Sequence, residues 1–175
     1  MTFDNFVIRP ICIEDSSNYH LFVDQNKSRL TKYFPKTLNA NKDISSTTAH
    51  IVDRLRMAEK KEFFTFIIFD TLLNKIIGTV FIKELDWTIP KGELGFFIDK
   101  EYEGKGIISN AVSIISNHCF QKMGLNKVFM RIAEDNVSSR RVAEKNEFKV
   151  EGILRKDFKT SEGKLIDVVY YGLIQ

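Results

Sequence analysis

The stretch "GELGFFIDKEYEGKGIISNAV" (92–112) constrains the fold more than any other part of this chain. Its segment "ELGFFID" (93–99) is dense in aromatic and branched apolar residues and reads as a strand. After Gly106, residues Ile108, Ala111, Val112, Ile115, Cys119 and Met123 recur at three-to-four spacing and form one apolar stripe of a helix. Gly124 stands where that helix should be capped. Gly104 and Gly106 occupy the seam between the two elements. The first amides of a helix have no intrahelical acceptor, and the helix dipole favours negative charge there, so bare glycine backbone at this seam reads as an anion site. Lys105 adds charge, and Ser109 brings a hydroxyl in the first turn. The same spacing also fits a tight strand-to-helix turn that binds nothing.

Around this seam the patterns alternate between strand and helix. "FVIRPI" (6–11) reads as a first strand, closed by Pro10. Residues 14–35 read as helical in two pieces ending at Pro35, and "TLNANKD" (37–43) as a polar loop. Ile51, Leu55 and Ala58 mark a helix over 45–60. Segments 62–70 and 75–85 form a hairpin, followed by the strand at 93–99. After the long helix come a strand (126–134), a short helix (136–146) and two further strands (148–158 and 165–174). Early hairpins and a later βαβ-like segment predict a single domain over 1–175, of α+β or mixed α/β class, with one central sheet.

Composition sets bounds on function. With 175 residues and 43% hydrophobic content the chain supports one substantial core. Lys plus Arg exceed Asp plus Glu by only 3, and no basic run with interleaved aromatics appears, so nucleic acid is not an expected partner. Cys12 and Cys119 are far apart and form no CxxC pair, and His20, His50 and His118 share no metal-ligand spacing, so neither a disulfide nor a metal is expected. No apolar run approaches the ~20 residues of a membrane span, and "MTFDNFVIRP" has no basic start followed by an apolar segment. A reduced, cytoplasmic setting follows as the expectation.

Three phosphate-binding patterns compete for the glycines. A P-loop requires G-x-x-x-x-G-K-[ST], and here Asp99 stands in place of its first glycine and Gly106 follows Lys105. A dinucleotide fingerprint requires a third glycine where Ser109 stands, and only about forty residues follow Glu134, too few for a second half-domain. The third is the acyl-CoA loop. On "GELGFFIDKEYEGKGIISNAV" and on "EDNVSSRRVAEKNEFKVEGILRKDF" the chain resembles the GNAT N-acetyltransferases, in particular the RimJ/RimL-like branch. In the second stretch Asn136, Ser139, Val142, Glu144, Lys145, Phe148, Glu151 and Gly152 fall at the spacing of the family's N-x-x-S-x-x-V-x-E-K-x-G-F-x-x-E-G.

The resemblance implies the GNAT fold: one twisted mixed sheet of about seven strands, splayed between the fourth (93–99) and fifth (126–134), flanked by helices. It implies acetyl-CoA as co-substrate and an amine acceptor, a protein N-terminal α-amine of the ribosomal-protein kind. Other acceptors are an amino acid, a polyamine or an aminoglycoside, and a non-catalytic acyl-CoA-binding module is the rival from another class. A homodimer is compatible with the family. The pyrophosphate falls to Gly104, Lys105, Gly106, Ile107, Ile108 and Ser109, and the pantetheine arm to backbone at Phe96, Phe97 and Ile98, with Asn136 and Ser139 opposite. An amide at Phe96 or Phe97 holds the oxyanion, Ser139 meets the leaving thiolate, and Glu93 or Asp157 relays the amine proton. The chain departs from the family at Glu103, at Ile108, at Glu147 in place of a glycine, and at Ala143 in place of a tyrosine that protonates the thiolate.

Overall fold

The strand-forming runs assemble into one sheet because each carries apolar residues that must be covered on at least one face. The computed structural model describes residues 1–175. Its strands are β1 (Thr2–Phe3), β2 (Phe6–Pro10), β3 (Phe64–Asp70), β4 (Lys75–Asp86), β5 (Lys91–Ile98), β6 (Lys127–Ala133), β7 (Lys149–Lys159) and β8 (Leu165–Ile174). They lie in the order β1-β2-β3-β4-β5-β6-β8-β7, every neighbouring pair antiparallel except β5 and β6. The sheet has eight strands where about seven are expected. The additional one is the two-residue β1, which turns back onto β2 through Asp4 and is too short to leave a periodic signal.

The helices are α1 (Ser16–Gln25), α2 (Lys27–Leu30), α3 (Pro35–Ala40), α4 (Ile44–Glu59), α5 (Ile107–Gln121) and α6 (Val137–Lys145). Helix α3 corrects the reading of 37–43 as a loop. Pro35 starts this helix rather than ending the previous one, since proline at a helix's first turn sacrifices an amide that has no partner there. The two sheet faces carry separate cores. On one, Val80, Leu94, Val128 and Met130 pack with Ala111, Val112 and Ile115 of α5 and Ala143 of α6. On the other, Ile67, Ile76 and Phe97 pack with Phe22 and Val23 of α1 and Ile51 of α4.

The feature that positions everything else is the behaviour of the only parallel pair. β5 and β6 register at Lys91–Lys127, Gly92–Val128 and Glu93–Phe129 and then part, as expected for the fourth and fifth of the seven strands read from the sequence. Beyond that point β5 stays with β4 as far as Ile98, and β6 stays with β8 as far as Ala133. The result is a V-shaped gap through the middle of the sheet.

The end of β5 is tied down by a buried link. Tyr102 donates its hydroxyl to Asp70 Oδ2 at 2.7 Å, while Asp70 Oδ1 accepts from the amides of Leu72 and Leu73. Burial acts to raise the Asp70 pKa, but the Tyr102 hydroxyl and the two amides outweigh it and the net value is lowered. A carboxylate depressed in the folded state stabilises it above the ordinary value near 3.9, and that contribution is lost as pH falls further. Tyr102→Phe should cost about 1–2 kcal/mol at neutral pH by urea denaturation, and less at pH 3. An equal cost at both pH values would show that the hydroxyl is not what holds Asp70.

Candidate functional site

The glycine seam folds as an amide cradle. Gly106 is the N-cap of α5 at φ 77°, and Gly104 has φ 72°, so both occupy the left-handed region that side chains disfavour. A Cβ on Gly104 would meet nothing within 4 Å, and one on Gly106 only the Lys145 ammonium at 3.9 Å, so the space in front of both is open. The six consecutive amides from Gly104 to Ser109 donate to no protein acceptor. Lys105 lies beside the cradle with its ammonium over the Tyr102 ring. Ile107 is buried in the core and Ile108 packs against it, so both offer the cradle their backbone. Ser109 contributes its amide, and its buried hydroxyl accepts from Asn146 Nδ2 at 2.9 Å, which ties α5 to α6. Glu103, the acid beside this anion site, is paired with Arg29.

The cradle follows the free end of β5, and a cleft of about 180 Å³ lies between the splayed strands. Leu94, Gly95 and Phe96 form one wall, Met130 to Ala133 the other, and Asn136 and Ser139 of the α6 N-terminus stand alongside. The register of β5 decides which backbone groups face the gap. Asp99 donates its amide to Ile77 O at 2.7 Å, so the alternation of an antiparallel pair turns Phe97 and Gly95 toward β4 and Phe96 and Leu94 away from it. Phe96 thus offers both an amide and a carbonyl to the gap. The Phe97 amide belongs to the β4 ladder, and its ring stacks on Phe22 at 5.0 Å. The Ile98 carbonyl, on the gap side, accepts from Arg29 at 3.0 Å.

At the apex of the V the two carboxylates singled out from the sequence come together. Glu93 is 5% exposed, and its Oε2 accepts from Arg131 Nη2 at 2.5 Å and Nε at 3.1 Å, with the Lys83 ammonium at 3.3 Å. Its Oε1 has no protein partner. Asp157 on β7 faces the same cleft, with Oδ2 3.4 Å from Arg131 Nη1. Glu84, displaced by the irregularity in β4 after Lys83, is 3.7 Å from the same guanidinium. The hydrogen bonds that Arg131 donates to Glu93 hold its pKa above its ordinary value against the opposing effect of burial. Arg131 is absent from the sequence reading. Its signal is a lone charge inside the apolar run "KVFMRIA", which a buried strand accommodates only where a counter-charge waits.

On α6, Asn136 caps the helix by accepting the Ser139 amide at 3.2 Å, which leaves its own NH₂ free. The Ser139 hydroxyl has no protein partner and borders the cleft. Arg140 faces elsewhere: it donates to Tyr171 Oη and the Glu134 carbonyl. Ala143 is fully buried in the core between α6 and the sheet.

The sequence matches the acetyltransferase (GNAT) domain family over residues 5–149. A putative ribosomal N-acetyltransferase of Bacillus subtilis (strain 168), YdaF, is 29% identical over 98% of this chain and 92% of its own. The fold is shared with a ribosomal-protein-S5-alanine acetyltransferase from Vibrio fischeri, at TM-score 0.93 and 23% identity over 99% of this chain and 95% of that one. It is shared too with RimL, a ribosomal L7/L12 α-N-protein acetyltransferase solved in complex with coenzyme A, at TM-score 0.88 and 20% identity over 97% and 94%.

Arg131 organises the apex whatever the cleft binds. Arg131→Met leaves buried Glu93 with Lys83 alone and should cost about 1–3 kcal/mol, read as a lower urea midpoint at unchanged m-value. Adding Glu93→Gln to that variant should recover part of the loss. A double variant no more stable than Arg131→Met would mean that the ion pair is not the source.

Proposed function

This chain belongs to the GNAT acetyltransferase family, and from that premise we propose that it moves acetyl from acetyl-CoA to a protein N-terminal α-amine by direct attack on the thioester. The observation that carries the reading is that one strand, β5, joins two features. Six unpartnered amides follow its free end, and its Leu94–Phe96 segment walls a cleft whose apex holds a buried carboxylate with one free oxygen. A diphosphate suits the amides, an extended pantetheine arm the cleft, and an amine the carboxylate.

Acetyl-CoA supplies the activated thioester, and the residues of this chain divide the remaining work. Gly104 to Ser109 hold the phosphates by their amides. Phe96 pairs with the arm as an added strand would, and its amide is the donor placed for charge developing on the carbonyl oxygen. Ser139, with its hydroxyl unengaged, stands where the leaving thiolate needs a proton in a chain whose residue 143 is alanine. Asn136 offers its free NH₂ to the arm. An α-amine has a pKa near 8, so about a tenth is neutral at pH 7 and the base need only relay a proton. Glu93 Oε1 is better placed for that than Asp157. It is at the apex and buried, and its other oxygen is fixed by Arg131 and Lys83.

The charges of the cleft support the choice of acceptor. Glu93, Asp157 and Glu84 face Lys83 and Arg131, and Glu84 lies outside the cleft lining, so the cleft itself offers little acidic surplus to a polyamine or an aminoglycoside. The ribosomal N-acetyltransferase named among the relatives supports a ribosomal acceptor.

A panel of N-terminal peptides, free amino acids, spermidine and aminoglycosides, with thiol release and product mass measured, tests the reading. Peptides acetylated on the α-amine should give the highest kcat/KM. In the same assay Glu93→Gln should lose about 10²-fold at pH 6.5 and recover most of it at pH 9, with Asp157→Asn losing less. Tight CoA binding with no turnover on any amine would replace the enzyme by an acyl-CoA-binding module.

A further inference from the structure

The V lacks sheet hydrogen bonds beyond its apex, yet one segment crosses its mouth and is fastened on both sides. Arg29, at the end of α2, donates to the Ile98 carbonyl of β5 at 3.0 Å and pairs with Glu103. Phe34 packs its ring against Phe97 of β5 at 5.1 Å. Between these anchors, Lys32 and Tyr33 reach the far side. The Lys32 ammonium is 2.5 Å from Asp135 Oδ2, and the Tyr33 hydroxyl donates to Asp135 Oδ1 at 2.8 Å. Asp135 lies just past the free end of β6 and just before Asn136. The Tyr33 ring also meets Phe158 of β7 at 6.4 Å, and it borders the cleft that holds Glu93 and Asp157.

We propose that residues 29–34 are a strap across the splayed strands, latched by Asp135, and that Tyr33 on this strap is a specificity-determining residue for the acceptor. The proposal rests on the acetyltransferase reading for its substrate and on the geometry alone for the latch. The anchors differ in strength, and the difference assigns the moving end. On the β5 side Phe34 is seated among Phe97 and Phe81, and Leu30 is buried in the core. On the β6 side the ion pair is open to water, with Lys32 48% and Asp135 60% exposed. Exposed pairs contribute little and are screened by salt, so this end releases first. Release lifts Tyr33 off Phe158 and widens the entry above Glu93. With the latch closed, the ring limits what can pass to an α-amine whose first residue has a small side chain. The latch therefore trades acceptor size against the water exclusion that acyl transfer needs.

Two readouts test this in the full-length chain. Hydrogen exchange of the Thr31 and Phe34 amides, which donate to Lys27 O and Leu30 O on either side of Lys32 and Tyr33, should accelerate by about two- to fivefold in Asp135→Asn and in Tyr33→Phe, the scale of one exposed pair. The charge-swapped pair Lys32→Asp with Asp135→Lys should restore slow exchange, which a general loss of packing would not do. The second readout is the ratio of kcat/KM for a peptide with a small first residue to that for one with a bulky first residue. In Asp135→Asn and Tyr33→Ala this ratio should fall by about tenfold, the scale of steric discrimination in a close-fitting pocket, with the Kd for CoA unchanged. Unchanged exchange in Asp135→Asn overturns the latch. An unchanged ratio in both variants overturns the assignment of Tyr33. If the wild-type chain acetylates no amine, the transferase reading fails, and exchange alone then decides the strap.

Discussion

The structure turns on the failure of β5 and β6 to stay paired. Three residue pairs hold the strands together, and then each follows its other neighbour. In an ordinary sheet the polar backbone groups left facing the gap would be a cost, because buried amides and carbonyls need partners. Here that cost produces a site. Phe96 presents a strand edge in the middle of the molecule, where no second chain can aggregate onto it and an extended ligand of matching pattern can. The amide cradle depends on the same divergence, because the end of β5 leads through Tyr102 into Gly104 and Gly106 away from β6.

Opening the sheet places charge where charge is expensive. Glu93 is buried beside the apex, and the chain compensates with Lys83 directly across the β4–β5 ladder and Arg131 across the parallel pair. Both cations meet the same carboxylate oxygen, which leaves the other without a protein partner. Arg131 also reaches Asp157 and Glu84, so one guanidinium sets the geometry of three acids from three strands. The two carboxylates considered for proton transfer are thus neighbours of one arginine, and their roles are not independent.

Much of this architecture is legible in the sequence. The strand–glycine–helix seam, the apolar stripe of α5 and the spacing from Asn136 to Gly152 carry local rules of period, capping and left-handed backbone, and local rules survive without coordinates. What escapes is what depends on contacts between distant residues. Arg131 reads as one charge in a strand until Glu93 is beside it. Tyr33 and Asp135 are 102 residues apart, and nothing in either neighbourhood announces the other. Ser109 reads as a hydroxyl in the first turn of a helix, and its bond from Asn146, 37 residues on, is invisible in the sequence. Strand β1 and helix α3 fall below the length at which periodicity is readable.

The central claim is that one ligand lies along a continuous path from the amide cradle to the apex. Backbone amide resonances followed during titration test it directly. Coenzyme A should shift the amides of Gly104 to Ser109 together with those of Leu94 to Ile98 and Met130 to Ala133. Pantetheine, which lacks the phosphates, should shift the strands and leave the cradle unmoved. Equal shifts of the cradle with both ligands, or CoA shifts confined to residues outside the V, would contradict the account.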